Sequence, residues 1–242
     1  MKNSIQTFGL RPGRVLAQKY EVISLLGSGW EGEVYKIREV DTGIDRAAKL
    51  FFPVRNIKNK TIKANAKQLH RLKDCNMVIH YHNREVIQFQ RQKVVVFISE
   101  YVEGELLSDY LKKQRGKRLT LYKAVHLLHA LCVGIEEIHL LRDYHGDIHE
   151  GNIVVNRLGL RYHLKILDFL HNDEGIRKNQ RADIIDLVTL FYELLGGRKF
   201  YAKQPQAVKD ICRGLKKTLI LERFKTVEQL RRHLEQQDWG KV

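Results

Sequence analysis

"LLGSGWEGEVYKIREV" occupies residues 25 to 40, and its reading decides the fold. Gly27, Gly29 and Gly32 stand at the spacing GxGxxG, with Val34 two residues further on. Glycine lets a backbone turn with positive φ and come close to a phosphate, so the pattern suits either a tight hairpin turn or a nucleotide loop. The flanks narrow the choice. A dinucleotide fingerprint places its glycines between a strand and a helix. Here "YEVISLL" (20–26) precedes them and "EVYKIREV" (33–40) follows, both with strand character, and "RAAKLFF" (46–52) supplies a third strand that carries Lys49.

Moving outward, "NKTIKANAKQLHRLK" (59–73) has Ile62, Ala66, Leu69 and Leu72 at helical spacing, with its cations on the other face. "EVIQF" and "VVVFISEYV", joined by "QRQK", read as a hairpin. Up to residue 102 the pattern predicts a five-stranded antiparallel sheet with one helix. Beyond it the period becomes helical: "LYKAVHLLHALCVGIEEIHLL" from Leu121, "DIIDLVTLFYELLGG" from Asp183, and "TVEQLRRHL", whose Thr226 and Gln229 have capping-box spacing. Between the first two lies "YHGDIHEGNIVV" (144–155), a polar loop followed by a β-branched run.

Composition bounds the function classes. With 242 residues, 43% of them apolar, the chain can bury a sizeable core. Its longest apolar run, "VVVFIS" at 94–99, is far short of the roughly 18 residues of a membrane span. The N-terminal stretch lacks the apolar centre of a secretory signal, so a cytoplasmic location is expected. Cys75, Cys132 and Cys212 are far apart and show no metal-ligand spacing, which reads as buried or free thiols. The net charge of +15 attracts nucleic acid, anionic surfaces, acidic proteins and nucleotides alike. Residues 53–93 concentrate it, with ten Lys/Arg against Asp74 and Glu85.

In order along the chain, the glycine loop, Ala47 and Lys49 on the following strand, "ISEYVEG", "HGDIHEGN", "LDFL" and "ADIIDLVTLFYELLGG" resemble the motifs of bacterial Ser/Thr protein kinases. The resemblance covers most of the chain. It implies a bilobal α+β fold of protein-kinase type, with a reduced C-lobe (103–242) and a truncated activation segment. It also implies ATP and Mg²⁺ as cofactors. Asp147 would orient an acceptor hydroxyl and take its proton; Asn152 and Asp168 would be metal ligands; Lys49 would hold phosphates. Gly27, Ser28, Gly29, Gly32, Val34 and Ala47 would line the nucleotide, and Glu100 and Val102 would offer backbone groups to the adenine edge. Ser99 stands at the gatekeeper position. His145 and Asp183 would brace the catalytic loop.

Three departures bear on activity. The glutamate that the family pairs with its strand lysine falls at Asn65, and no carboxylate lies between Asp45 and Asp74. Lys49 must then borrow a partner, with Glu31, Glu33 and Glu85 as candidates, or activity is low. Only 15 steps separate Asp168 from Asp183, too few for the family's peptide platform, and the arginine that reads a phosphorylated loop is Gly146. The loop reads HGDIH, a form similar to aminoglycoside and choline-type phosphotransferases, with His149 either on the γ-phosphate or merely packed. Leu170 replaces the glycine of D-F-G.

The favoured reading is phosphoryl transfer from ATP to Ser or Thr of a protein. A small-molecule kinase and a nucleotide-binding pseudokinase remain the alternatives. The basic stretch 58–73 reads first as a solvated face and second as a dock for an acidic partner, with nucleic acid the less favoured occupant and no membrane role.

Overall fold

The computed structural model describes residues 5–158, 161–172 and 174–241. The chain divides into two compact units, one of the described residues up to Lys73 with Ile79–Val102, the other of Asp74–Val78 with the residues from Glu103 onward.

The first unit is built on an antiparallel sheet of β1 (Val15–Leu16), β2 (Tyr20–Ser28), β3 (Gly32–Glu39), β4 (Asp45–Phe51), β5 (Tyr81–Phe89) and β6 (Gln92–Glu100), in the order β1-β2-β3-β4-β6-β5. Alternation decides which face is buried: Tyr35 and Ile37, Ala48 and Leu50, and Val94, Val96 and Ile98 all point into one core. Ile5, Phe8 and Leu10 complete that core, with Phe8 stacked on Phe52 and edge-on to Phe89. A buried carboxylate fixes this N-terminal segment: Glu33 accepts from Thr7 Oγ1 at 2.7 Å, Phe8 N–H at 3.0 Å and Gly9 N–H at 3.2 Å, and from the Tyr35 hydroxyl. Burial pushes the Glu33 carboxyl up, but these donors outweigh it and hold the group below its ordinary range.

The sheet has six strands where periodicity predicts five. The extra one, β1, is two residues long and turns back through Ala17 and Gln18, both with positive φ, so it is too short to show a period. The β5–β6 hairpin turns on Gln90 and Arg91 at φ 47° and 62°, a two-residue left-handed turn made without glycine or asparagine. Helix α1 (Lys60–Arg71) buries Ile62 and Leu69 and exposes Lys60, Lys63 and Lys67.

The second unit contains β7 (Glu105–Leu106), α2 (Leu107–Lys113), α3 (Leu121–Leu140), β8 (Ile153–Leu158), β9 (Arg161–Ile166), α4 (Ile176–Leu194), α5 (Arg198–Tyr201), α6 (Gln206–Cys212), α7 (Lys217–Arg223) and α8 (Val227–Gln236). Strands β7, β8 and β9 form a small antiparallel sheet that the helical pattern alone does not announce. Helix α3 is capped by Thr120 and apolar almost all round, as a central helix should be. Its Gly134 leaves room for Met77, whose sulfur would lie 2.4 Å from a Cβ at that position. Helix α4 begins seven residues before the predicted Asp183, because "IRKNQRA" is polar and carries no apolar period. The α8 cap forms as predicted at Thr226, but Gln229 reaches back to Lys225 N–H rather than to Thr226. Cys75, Cys132 and Cys212 are all buried thiols. Among the described residues no helix is long and apolar enough to cross a membrane.

Candidate active site

In the first unit the glycine loop joins β2 to β3. Gly27 and Ser28 pair with Val34 and Glu33, and Gly29 N–H closes the turn onto Gly32 C=O at 2.9 Å. The glycines differ in why they are needed. A Cβ on Gly32 would stand 2.0 Å from the Leu50 carbonyl oxygen, whereas Gly27 and Gly29 would meet nothing within 4 Å. Gly32 is therefore demanded by the β3–β4 contact, and the other two are open to a ligand. Gly32→Ala should cost about 1–3 kcal/mol through a forced backbone shift. Gly29→Ala should leave the melting temperature unchanged, and comparing the two melts checks the distinction.

Lys49 lies on β4 opposite Phe97 and Val34, with Ala47 opposite Ser99. Its Nζ is 2.7 Å from Glu31 Oε2. Of the three candidate carboxylates the loop's own Glu31 is the partner, since Glu33 is consumed by the N-terminal segment and Glu85 pairs with Lys19 at 2.8 Å. In the hinge-like stretch Glu100 N–H is bonded to His80 C=O at 2.8 Å, and its carbonyl accepts the Ser99 hydroxyl at 3.5 Å. Val102 is half-buried at the end of the unit.

The second unit assembles the polar loop of "YHGDIHEGN". His145 is fully buried, and burial holds its imidazole below the usual range, so the ring is neutral. Neutral imidazole has one donor and one acceptor, and both are used: Nε2–H donates to Leu167 C=O at 2.7 Å, and Nδ1 accepts Asp147 N–H at 3.2 Å. The ring thus ties the backbone at Asp147 to the residue before Asp168. Asn152 adds a second tie, its carbonyl accepting Leu167 N–H at 2.8 Å while its side-chain amide donates to Asp147 O at 3.0 Å and Asp147 Oδ2 at 3.1 Å. That orientation turns Asn152 Oδ1 away from Asp147, with the left-handed Asp168 (φ 51°) one residue beyond Leu167. Two hard oxygen donors tied through one backbone bond fit a small divalent cation that keeps most of its waters.

His149 is half-exposed, its Nδ1 accepting Gly151 N–H at 3.0 Å and its Nε2 3.6 Å from Asp147 Oδ2. It sits beside Asp147 without a hydrogen bond to it.

Helix α4 holds this loop from below. The buried Asp183 accepts His145 N–H at 2.9 Å, Gly146 N–H at 2.7 Å and His139 Nε2 at 2.8 Å. Gly146 has φ +84°, and a Cβ there would press on Tyr144 and Leu170 at 3.2–3.3 Å, so the missing arginine is excluded by backbone geometry. The sequence reading missed Asp186, one turn along α4, which accepts Ile148 N–H. Burial, then the neighbouring Asp183, pushes its carboxyl up to about 6. A carboxyl raised in the fold contributes stability below its unfolded value, about 3.9, and loses it as pH rises through about 6. Asp186→Asn should therefore melt higher than the parent above pH 6, with the gain vanishing near pH 4, in paired thermal melts across that range. The only sequence signal for Asp186 is its spacing of three from Asp183.

The short segment before α4 is closed on itself: Asn172 and Asn179 exchange amide hydrogen bonds at 2.8 and 2.9 Å, and Asn172 Oδ1 also accepts Glu174 N–H. Among the described residues no group of three or more His, Cys, Asp or Glu stands ready as a metal cluster.

A glycine-looped antiparallel sheet with a paired lysine, and a separate unit carrying an Asp–Asn–Asp loop braced by a buried His and Asp, define a phosphotransferase of the protein-kinase class. Comparison with known proteins agrees. The protein kinase domain family matches residues 20–202, and the chain belongs to that family. It is 31% identical over 187 residues to a probable cyclin-dependent serine/threonine-protein kinase of Dictyostelium discoideum, covering 76% of this chain and 12% of that protein. It is 30% identical over 147 residues to human myosin light chain kinase family member 4, covering 60% of this chain and 36% of that protein. The chain thus spans from about an eighth to about a third of these relatives. The crystal structure of the Mycobacterium tuberculosis PknI kinase domain superposes with a TM-score of 0.68 at 17% identity, over 94% of this chain and 99% of that one, a likeness of fold.

Proposed function

We propose that this chain transfers the terminal phosphoryl group of ATP, with Mg²⁺, to the hydroxyl of a protein Ser or Thr. The observation that carries the reading is the neutral His145 bridge, which holds Asp147, Asn152 and the Asp168 turn as one piece of backbone. Asp147 orients the acceptor hydroxyl and takes its proton. Asn152 and Asp168 would hold Mg²⁺, whose charge would offset that of the phosphates. Lys49 and the Gly27–Gly32 loop bind the phosphates, and Val34, Ala47, Glu100 and Val102 serve the adenine side. His149, beside Asp147, takes the place of the lysine with which the family touches the γ-phosphate. The cationic face of α1 serves solubility and, secondarily, docking of an acidic partner.

A small-molecule acceptor is the second reading. It is favoured by one feature, the start of α4 at Ile176, only eight residues after Asp168, which leaves little chain to hold a peptide. A serine/threonine peptide library assayed beside amino alcohols and aminosugars separates the two.

The test of the common core is a thermal titration with ATP, with and without Mg²⁺. Ligand at about 100 times its dissociation constant stabilises by roughly 2.7 kcal/mol. The parent should show a magnesium-dependent rise of several degrees that Asp168→Ala loses. No rise at millimolar ATP would remove the reading and leave a binding module without nucleotide.

A further inference from the structure

We infer that Glu31, on the glycine loop, is the positioning residue of Lys49, so that in this chain closing the loop and placing the lysine are one event. The inference rests on the nucleotide reading above.

A lysine ammonium on a four-carbon stem samples many positions unless an anion holds it. Helix α1 cannot do so, because residues 46–73 contain no carboxylate. The loop can. Glu31 Oε2 lies 2.7 Å from Lys49 Nζ, and both side chains are largely shielded, 35% and 13% exposed, so water screens the pair incompletely. The carboxylate is itself held. Glu31 C=O accepts Phe52 N–H at 2.9 Å, the Gly29–Gly32 bond closes the turn, and Gly32 packs directly on the Leu50 carbonyl. Next to it the Arg55 guanidinium lies over the exposed Trp30 ring at 4.1 Å, a contact between the loop tip and the segment after β4. The Phe51 ring, 5.1 Å from Lys49 Nζ, adds a third restraint on the ammonium.

All of these anchors lie on the loop or on β4 and the residues just after it. An ammonium has three donors, so Lys49 can keep Glu31 and still present protons to a phosphate. The device replaces a helix-borne glutamate with a loop-borne one.

The test reads phosphate recognition without turnover: the ratio of adenosine to ATP dissociation constants, by calorimetry, for the parent, Glu31→Gln and Asn65→Ala. Lys49 acts only on phosphate, so a displaced lysine lowers the ratio and leaves adenosine binding unchanged. Glu31→Gln is expected to lower it about tenfold, the scale of ordinary coupling between sites, at an unchanged ligand-free melting temperature. Asn65→Ala is expected to leave it within about twofold. An unchanged ratio in Glu31→Gln, or a fall in Asn65→Ala instead, overturns the inference. A higher ratio in Glu31→Gln also overturns it, because it would mean the carboxylate competes with phosphate for the lysine. If the parent itself does not prefer ATP to adenosine, the nucleotide reading fails first, and this inference falls with it.

Discussion

Asp147→Asn is expected to lower phosphoryl transfer by about 10²–10⁴-fold, the usual worth of a positioned general base, while the protein stays folded. The Asp147 side chain is half-exposed, and its carboxylate accepts the Asn152 side-chain amide at 3.1 Å. Its backbone carries the structural duty instead: the N–H goes to His145 and the carbonyl accepts from Asn152, and neither depends on the carboxylate. An Asn amide keeps the size of the side chain and cannot take a proton from a hydroxyl. The measurement is the initial rate of transfer to the acceptor, with a thermal melt in parallel. A rate within tenfold of the parent would show that Asp147 does not act as the base. A large fall in melting temperature would show instead that the carboxylate is structural.

Asp183→Asn should produce the largest loss of stability, about 3–5 kcal/mol, without creating a cavity. Asp183 is wholly buried, and its two oxygens accept from two backbone N–H groups and from His139. Hydrogen bonds to a charged acceptor are worth roughly 1.5–3 kcal/mol each, so three of them account for the estimate with allowance for non-additivity. Asn must turn its NH₂ toward at least one of those donors, leaving a donor facing a donor. For a chain of this length each kcal/mol lowers the melting temperature by about 2–4 °C, so the midpoint should fall by roughly 10 °C. Because the released backbone is that of His145 and Gly146, activity should be lost well below the new midpoint. A melt equal to the parent's would show that the catalytic loop does not hang from α4.

The two effects illustrate a division of labour in the loop. Side chains that face solvent, Asp147 and His149, are free to do chemistry because the backbone between them is held by groups that do not face solvent. His145 holds it from one side and Asp183 from the other, with Asp186 on Ile148 as a third point. Local structure of this kind is expensive in buried polar groups and is stable only when each has a partner.

The local signals were legible in the residues themselves. Alternation marked the long strands of the first unit, apolar spacing marked α1 and α3, and a strand on each side of the glycines, with Lys49 on the next, set this loop apart from a dinucleotide fingerprint. The motifs around Asp147, Asn152 and Asp168 stood out because their chemistry restricts residue type at close spacing. What a period cannot carry was lost: the two-residue β1, the polar first turns of α4, and the small β7–β9 sheet. The choice among Glu31, Glu33 and Glu85 also lay beyond the sequence. All three are carboxylates, and only the folded chain shows that Glu33 turns into the core to hold Thr7, Phe8 and Gly9, that Glu85 meets Lys19, and that Glu31 alone of the three reaches Lys49. The same is true of Asp186, whose raised proton affinity comes from burial beside Asp183, a property of position in space and not of residue type. Sequence determined which polar and charged groups the loops carry. Tertiary structure decided which carboxylate each cation meets and which is kept from water, because both depend on contacts between residues far apart in the chain.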